Sequence, residues 1–252
     1  FLFYADRLNQ LPIGVVGVAV GTALLPLLSR QITAGDDQAA GESQNRAVEF
    51  ALLLSLPAAA ALLVIAKPTL SVLFERGAFG PAETQATALA LMAYAIGLPA
   101  YVLVKVLTPG FFARLDTRTP VLIATLCVAV NLVLNLLLMG PMKHAGLALA
   151  TALSAWLNVY LLARVLNRRG HFLPDAALRR RLGRMIFASA LMAILLALLA
   201  LALAGPLAGG PWQRIPALAL LVLAGLVGYG AAAQLFGAAR IGEIRRFLGR
   251  DG

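Results

Sequence analysis

Cysteine is nearly absent. Cys127 stands alone, so neither a disulfide within the chain nor a cysteine-based metal site can form. It lies midway along the apolar run LIATLCVAVNLVLNLLLMG, the place of a small buried apolar residue. Charge is scarce as well. Only 13% of residues are Asp, Glu, Lys or Arg, and 61% are hydrophobic, where a soluble domain carries about 25% and about 45–50%. Acids number 11 and fall mostly between the apolar runs, which leaves no obvious carboxylate pair for acid/base chemistry inside one. The phosphate loop G-x-x-x-x-G-K-S/T, the nucleophile elbow G-x-S-x-G and the zinc helix H-E-x-x-H are all missing. Aromatics, at 7%, are not interleaved with the arginine clusters, so the net charge of +10 does not build a base-stacking surface. The sequence calls for no cofactor, no metal and no nucleic acid. It begins at Phe1, without methionine and inside an apolar segment, and reads as a piece whose N-terminal portion is elsewhere.

What the chain does have is apolar length. Seven stretches, near 1–29, 47–66, 84–108, 119–140, 144–165, 183–204 and 214–237, approach or exceed the roughly 20 residues that cross a hydrocarbon core. The fold class is therefore an all-α polytopic integral membrane protein of about seven transmembrane helices. Arg30, Arg46, Arg114, Arg118 and the arginines of 164–184 and 240–250 follow the odd-numbered spans; Lys67, Arg76, Lys143 and Arg214 follow the even ones. By the positive-inside rule the C-terminus is cytoplasmic and the Phe1 end lies outside. His144 and His171 then fall on opposite sides and cannot form a pair.

Function should sit where the spans are least apolar. The first span carries Asp6 and Arg7, and a charge in a span costs about 2.5–3.5 kcal/mol on insertion scales. Sequence neighbours point about 100° apart on a helix, so the two do not share a face. Arg7 shares its face with Phe3, Tyr4, Gln10, Leu11 and Gly14, none of which neutralises a guanidinium. Two readings follow: its planar fork faces an anion such as phosphate, or it snorkels to the outer interface. Gly17 and Gly21 of the same span form a small-xxx-small face for close packing. Lys105 is the second charge in a span, near its cytoplasmic end, where snorkelling competes with a site role. Asp116 and Thr117 are candidate caps for the helix that follows. Asn131 and Asn135, four apart, and Thr151 offer oxygens at membrane depth, for interhelical hydrogen bonds or as a candidate cation site.

Four stretches in order, YADRLNQLPIGVVGVAVGTALLPLLS, VLFERGAFG, VKVLTPGFFARLDTRTPV and GPMKHAGLALATALSAWLN, resemble the MurJ (MviN) family of lipid II flippases, kin of MATE-type drug exporters and polysaccharide flippases. The resemblance implies a fourteen-helix protein, of which these spans would be the eighth to the fourteenth. Residues 1–165 would then be most of the second six-helix transport lobe and 166–182 a basic cytoplasmic linker. A two-helix hairpin, 183–237, would border a groove for the lipid tail, and 238–252 would be a basic tail. Arg7 matches an arginine that the family uses to hold the lipid II diphosphate, and Asp6 the acid before it. Gln10 is a neutral amide where some relatives have an acid, and Lys105 joins these as a substrate-facing candidate. Asn131, Asn135 and Thr151 fall where some relatives hold sodium, although Asn135 replaces a carboxylate there. The implied activity is flipping of lipid II by alternating access in the bacterial inner membrane, with lipid II, membrane lipids and cell-wall synthesis or division proteins as partners. A polysaccharide-lipid flippase or drug exporter, a non-transporting cell-wall scaffold and a membrane glycosyltransferase are the competing readings.

Overall fold

A computed structural model describes residues 1–237, so the basic tail predicted over 238–252 lies outside the described residues. Every regular element in that range is helical. The first predicted span is divided. It comprises α1 (Leu2–Pro12), a π-helical segment (Ile13–Val18) and α2 (Ala19–Thr33). Pro12 is the physical cause, since it lacks an N–H and its ring crowds the preceding turn. Then follow α3 (Asp37–Phe74), α4 (Pro81–Phe112), α5 (Arg118–Arg168), α6 (Ala176–Ala202), the short α7 (Ala204–Ala208) and α8 (Pro211–Leu235).

Five of these helices are long and apolar enough to cross a membrane: α3, α4, α5, α6 and α8. The difference from seven has two sources. The first span is broken into pieces, and the fourth and fifth, two helices that meet at a kink at Lys143, run on without a loop and count together as α5. At about 1.5 Å per residue a straight α5 would be roughly 76 Å long, far more than one crossing needs. It turns back at Lys143, whose backbone (φ 50°, ψ −130°) is not helical, two residues after Pro141. Helix α3 bends too, at Ile65 (φ −104°, ψ 16°), within reach of the bond that Pro68 cannot donate. The Thr69 hydroxyl donates to the Ile65 carbonyl at 2.7 Å.

The ends are built from local chemistry. Asp36 caps α3 by accepting from the Ala39 N–H at 2.9 Å, and Asp175 caps α6 through the Leu178 N–H at 2.5 Å. Ahead of α5, Asp116 accepts from the Thr119 N–H at 3.0 Å. Thr117 occupies the N-cap position of α5 without a side-chain cap bond, so of the two predicted caps only Asp116 acts as one. Gly170 ends α5 with φ 74°, a left-handed conformation that glycine adopts without strain.

Helix α4 is the centre. It packs on α1, α2, α3 and α5, while α3 carries α6 and α8 on its other side. Of its most apolar stretch 67% is buried, against 11% for α5. Leu91, Leu98, Val106, Leu107 and Phe111 of α4 are almost wholly enclosed. By contrast Val128, Leu132, Leu136 and Leu137 of α5 are open, as a lipid-facing helix should be. A separate core of Ile65, Met192, Leu196 and Leu221 fastens α6 and α8 to α3.

Candidate functional site

The polar face of α1 follows from its periodicity. Ala5 and Asn9, four apart, are buried, and Ala5 packs with Leu70 of α3 and Ala88 and Leu91 of α4. The opposite strip, Phe3, Arg7, Gln10, Leu11 and Gly14, is exposed. Its N-terminal end is anchored by aromatic rings: Tyr4 lies 4.9 Å from Phe74 and 5.3 Å from Phe79, and Phe1 lies 5.2 Å from His144.

Among the described residues Arg7 makes no ion pair. Its Nη1 donates a long 3.4 Å bond to Gln10 Oε1, and its guanidinium carbon stands 5.0 Å from the Phe3 ring centroid. Gln10 Nε2 donates to the Asp6 carboxylate. Sequence reasoning separated Asp6 from Arg7 correctly but missed the residue that joins them. The signal was there, since Gln10 is four residues after Asp6 and three after Arg7.

Lys105 is exposed, and its backbone and stem pass close to the broken helix. A Cβ on Gly17 would stand 2.8 Å from Lys105 Cδ, and one on Gly21 3.2 Å from the Lys105 carbonyl oxygen. The small face of the first span therefore receives α4 at Lys105. Ten residues separate Arg7 from Gly17, roughly 15 Å along a helix, so the two cations occupy different levels.

The predicted polar cluster is only partly brought together. Asn135 Nδ2 donates to Asn131 Oδ1 at 3.0 Å, leaving Asn135 Oδ1 buried without a partner. Thr151 donates instead to the Leu147 carbonyl at 2.9 Å, inside its own helix.

Several arginines counted toward sidedness are engaged. Arg114 meets Asp37 at 3.0 Å, Arg169 meets Asp116 at 2.6 Å, and Arg181 meets Glu49. At the other end Arg214 meets Glu75 at 3.1 Å. Burial raises the Glu75 carboxyl, but hydrogen bonds from Ser71, Thr84 and Arg214 outweigh it and hold the group below its usual range. Hydrogen bonds from Thr119 and Arg169 hold Asp116 far below the usual carboxylate range. His171 is pushed down by burial first and by the Arg114 charge second.

Five helices of spanning length define a multi-pass membrane protein, preceded by a first span that a π-turn divides. The sequence signature described as Lipid II flippase MurJ matches residues 1–209; the chain belongs to this family. It is 45% identical over 251 residues to the probable lipid II flippase MurJ of Rhizobium meliloti (strain 1021), covering 99% of this chain and 47% of that protein. With the corresponding protein of Rickettsia prowazekii (strain Madrid E) it shares 38% identity over 198 residues, 79% of this chain and 39% of that one. A solved structure of lipid II flippase MurJ in its inward closed conformation matches with a TM-score of 0.76 at 24% identity, over 99% of this chain and 47% of that chain. That last likeness is one of fold. The chain spans about half the length of the curated relatives it matches.

Proposed function

We propose that this chain supplies most of the second transport lobe and the final helix hairpin of a flippase. Its cargo is lipid II, the undecaprenyl-diphosphate-linked peptidoglycan precursor, moved from the cytoplasmic to the periplasmic leaflet by alternating access. The observation that carries this reading is Arg7, a guanidinium on the open face of a broken helix, with no acid in ion-pair contact among the described residues. A free fork of this kind suits phosphate oxygens. Asp6, Gln10 and Lys105 line the same path, while of the candidate cation site Asn131 and Asn135 bond to each other and Thr151 to its own helix, with no carboxylate among the three. Residues 1–165 form most of the six-helix lobe, 166–182 the linker, 183–237 the hairpin beside the lipid tail and 238–252 the basic tail. Neither 185–204 nor 215–237 holds a charged residue, as a surface for an undecaprenyl chain requires. The protein sits in the bacterial inner membrane with its C-terminus in the cytoplasm, where cell-wall synthesis and division proteins are its partners.

The test replaces Arg7 by alanine and by lysine in the full-length protein, with membrane levels confirmed. Growth and surface exposure of lipid II are then followed in cells depleted of their own flippase. Arg7→Ala fails to support either, and Arg7→Lys supports both poorly, because a point charge lacks the planar fork. Normal function of the alanine variant would remove Arg7 from the site.

A further inference from the structure

We infer that Phe3 and Gln10 are positioning residues for Arg7, holding the guanidinium by one face and one N–H while its remaining donors stay open to a diphosphate. This rests on Arg7 being the diphosphate-binding cation, and it adds how that cation is held and kept unneutralised.

The geometry is that of one strip along α1. Phe3 precedes Arg7 by four residues and Gln10 follows it by three, so all three side chains share a face. The guanidinium carbon lies 5.0 Å from the Phe3 ring centroid, inside the roughly 6 Å range of a cation–π contact. Nη1 donates to Gln10 Oε1 at 3.4 Å. On its other side the Gln10 amide donates through Nε2 to Asp6.

An amide is suited to this place because it accepts at one end and donates at the other. Turned over, it would set its oxygen against the Asp6 carboxylate and its NH₂ against the guanidinium, two repulsive contacts. Asp6 therefore fixes which way the amide points, and the amide oxygen fixes Arg7. The acid's hold reaches the cation without the acid's charge. A carboxylate in place of Gln10 would instead pair with Arg7 directly and compete with an anion. The 3.4 Å bond is at the long end for a hydrogen bond, so a phosphate oxygen making shorter, charge-assisted bonds can displace it.

The test measures the affinity of the full-length protein in detergent for undecaprenyl diphosphate, a probe that carries the diphosphate and no sugar. The variants are Arg7→Ala, Phe3→Leu, Gln10→Leu and Gln10→Glu, with Phe3→Leu and Gln10→Leu also made on the Arg7→Ala background. Phe3→Leu and Gln10→Leu each weaken binding about three- to tenfold with an unchanged melting temperature, and neither has a further effect once Arg7 is alanine. Gln10→Glu weakens binding more than Gln10→Leu although it keeps the side chain's size and its acceptor oxygen toward Arg7, a result that loss of packing would not give. If both leucine variants bind like the parent while Arg7→Ala loses the probe, the positioning role is overturned and the diphosphate reading survives. If their losses persist on the alanine background, the two residues act on the lipid directly and the inference fails. If Arg7→Ala itself binds normally, the diphosphate reading falls and the inference with it.

Discussion

Gly97 marks a close approach of α4 to the second half of α5. A Cβ there would stand 2.8 Å from the Ala152 Cα and 2.7 Å from the Tyr101 ring, and the neighbouring Ile96 carbonyl accepts from the Trp156 indole N–H at 2.9 Å. The obstacle is backbone as well as side chain, so it cannot simply swing away. Gly97→Ala should cost about 1–3 kcal/mol through overpacking, read as a lower melting temperature of the purified protein. Gly17→Ala meets only the flexible stem of Lys105 and should melt nearer the parent. At this scale the sequence was legible where spacing along one helix decides the contact: the shared face of Arg7, Gln10 and Gly14 is visible in the numbering. It was not legible where the partner lies on another helix, as with Lys105 on Gly17 or Ile96 under Trp156, because no local pattern encodes which helices will touch.

Elements show the same division. The apolar runs locate the helices because nothing else in the chain is long enough to satisfy its backbone bonds inside lipid. They do not show how directly the fourth and fifth follow one another, since the break between them at Lys143 is a single backbone turn inside the short stretch that a loop would also use. Nor does counting arginines show which are paired. Arg169 joins the start of α5 to its end through Asp116, and Arg114 joins the end of α4 to the start of α3 through Asp37. His171 lies among these groups with its proton affinity lowered. A neutral ring is favoured in the fold, so its contribution is complete above the ordinary imidazole range and is lost as the pH falls through and below it. Melting temperature should therefore drop between about pH 7 and 5, and His171→Gln should flatten that drop. Asp116 has the same sign but a far lower window, so the Arg169–Asp116 bridge outlasts the protonation of His171. A melting profile of the parent that is flat across this range would contradict the assignment.

Across the whole molecule, α4 is the pivot and α3 the shared wall. Helices α2 and α4 pack on α3, and so do α6 and α8. The hairpin is held at both ends, by Arg181–Glu49 at one and by Arg214–Glu75 at the other, so it should travel with α3. In the proposed flippase, Arg7 and Lys105 against Asp6 make the cargo-facing surface positive. A membrane potential acts on such a face with about 2.3 kcal/mol per elementary charge per 100 mV. Flipping by the full-length protein in vesicles should quicken when the compartment matching the cytoplasm is made negative, because the empty site is drawn back inward; indifference to the imposed potential would exclude this coupling.

The π-helical stretch at Ile13–Val18 bears on how this helix can change over evolutionary time. In an uninterrupted membrane helix, gaining or losing one residue rotates everything beyond it by about 100°, and lipid-facing and protein-facing surfaces trade places. A wide turn already holds an extra residue per turn relative to α. One residue lost there can be absorbed by tightening to α, with the Arg7 face above and the Gly21 face below kept in register. Relatives that differ by a single-residue gap in this stretch can therefore keep the same two surfaces, and the gap belongs inside the wide turn when their sequences are aligned.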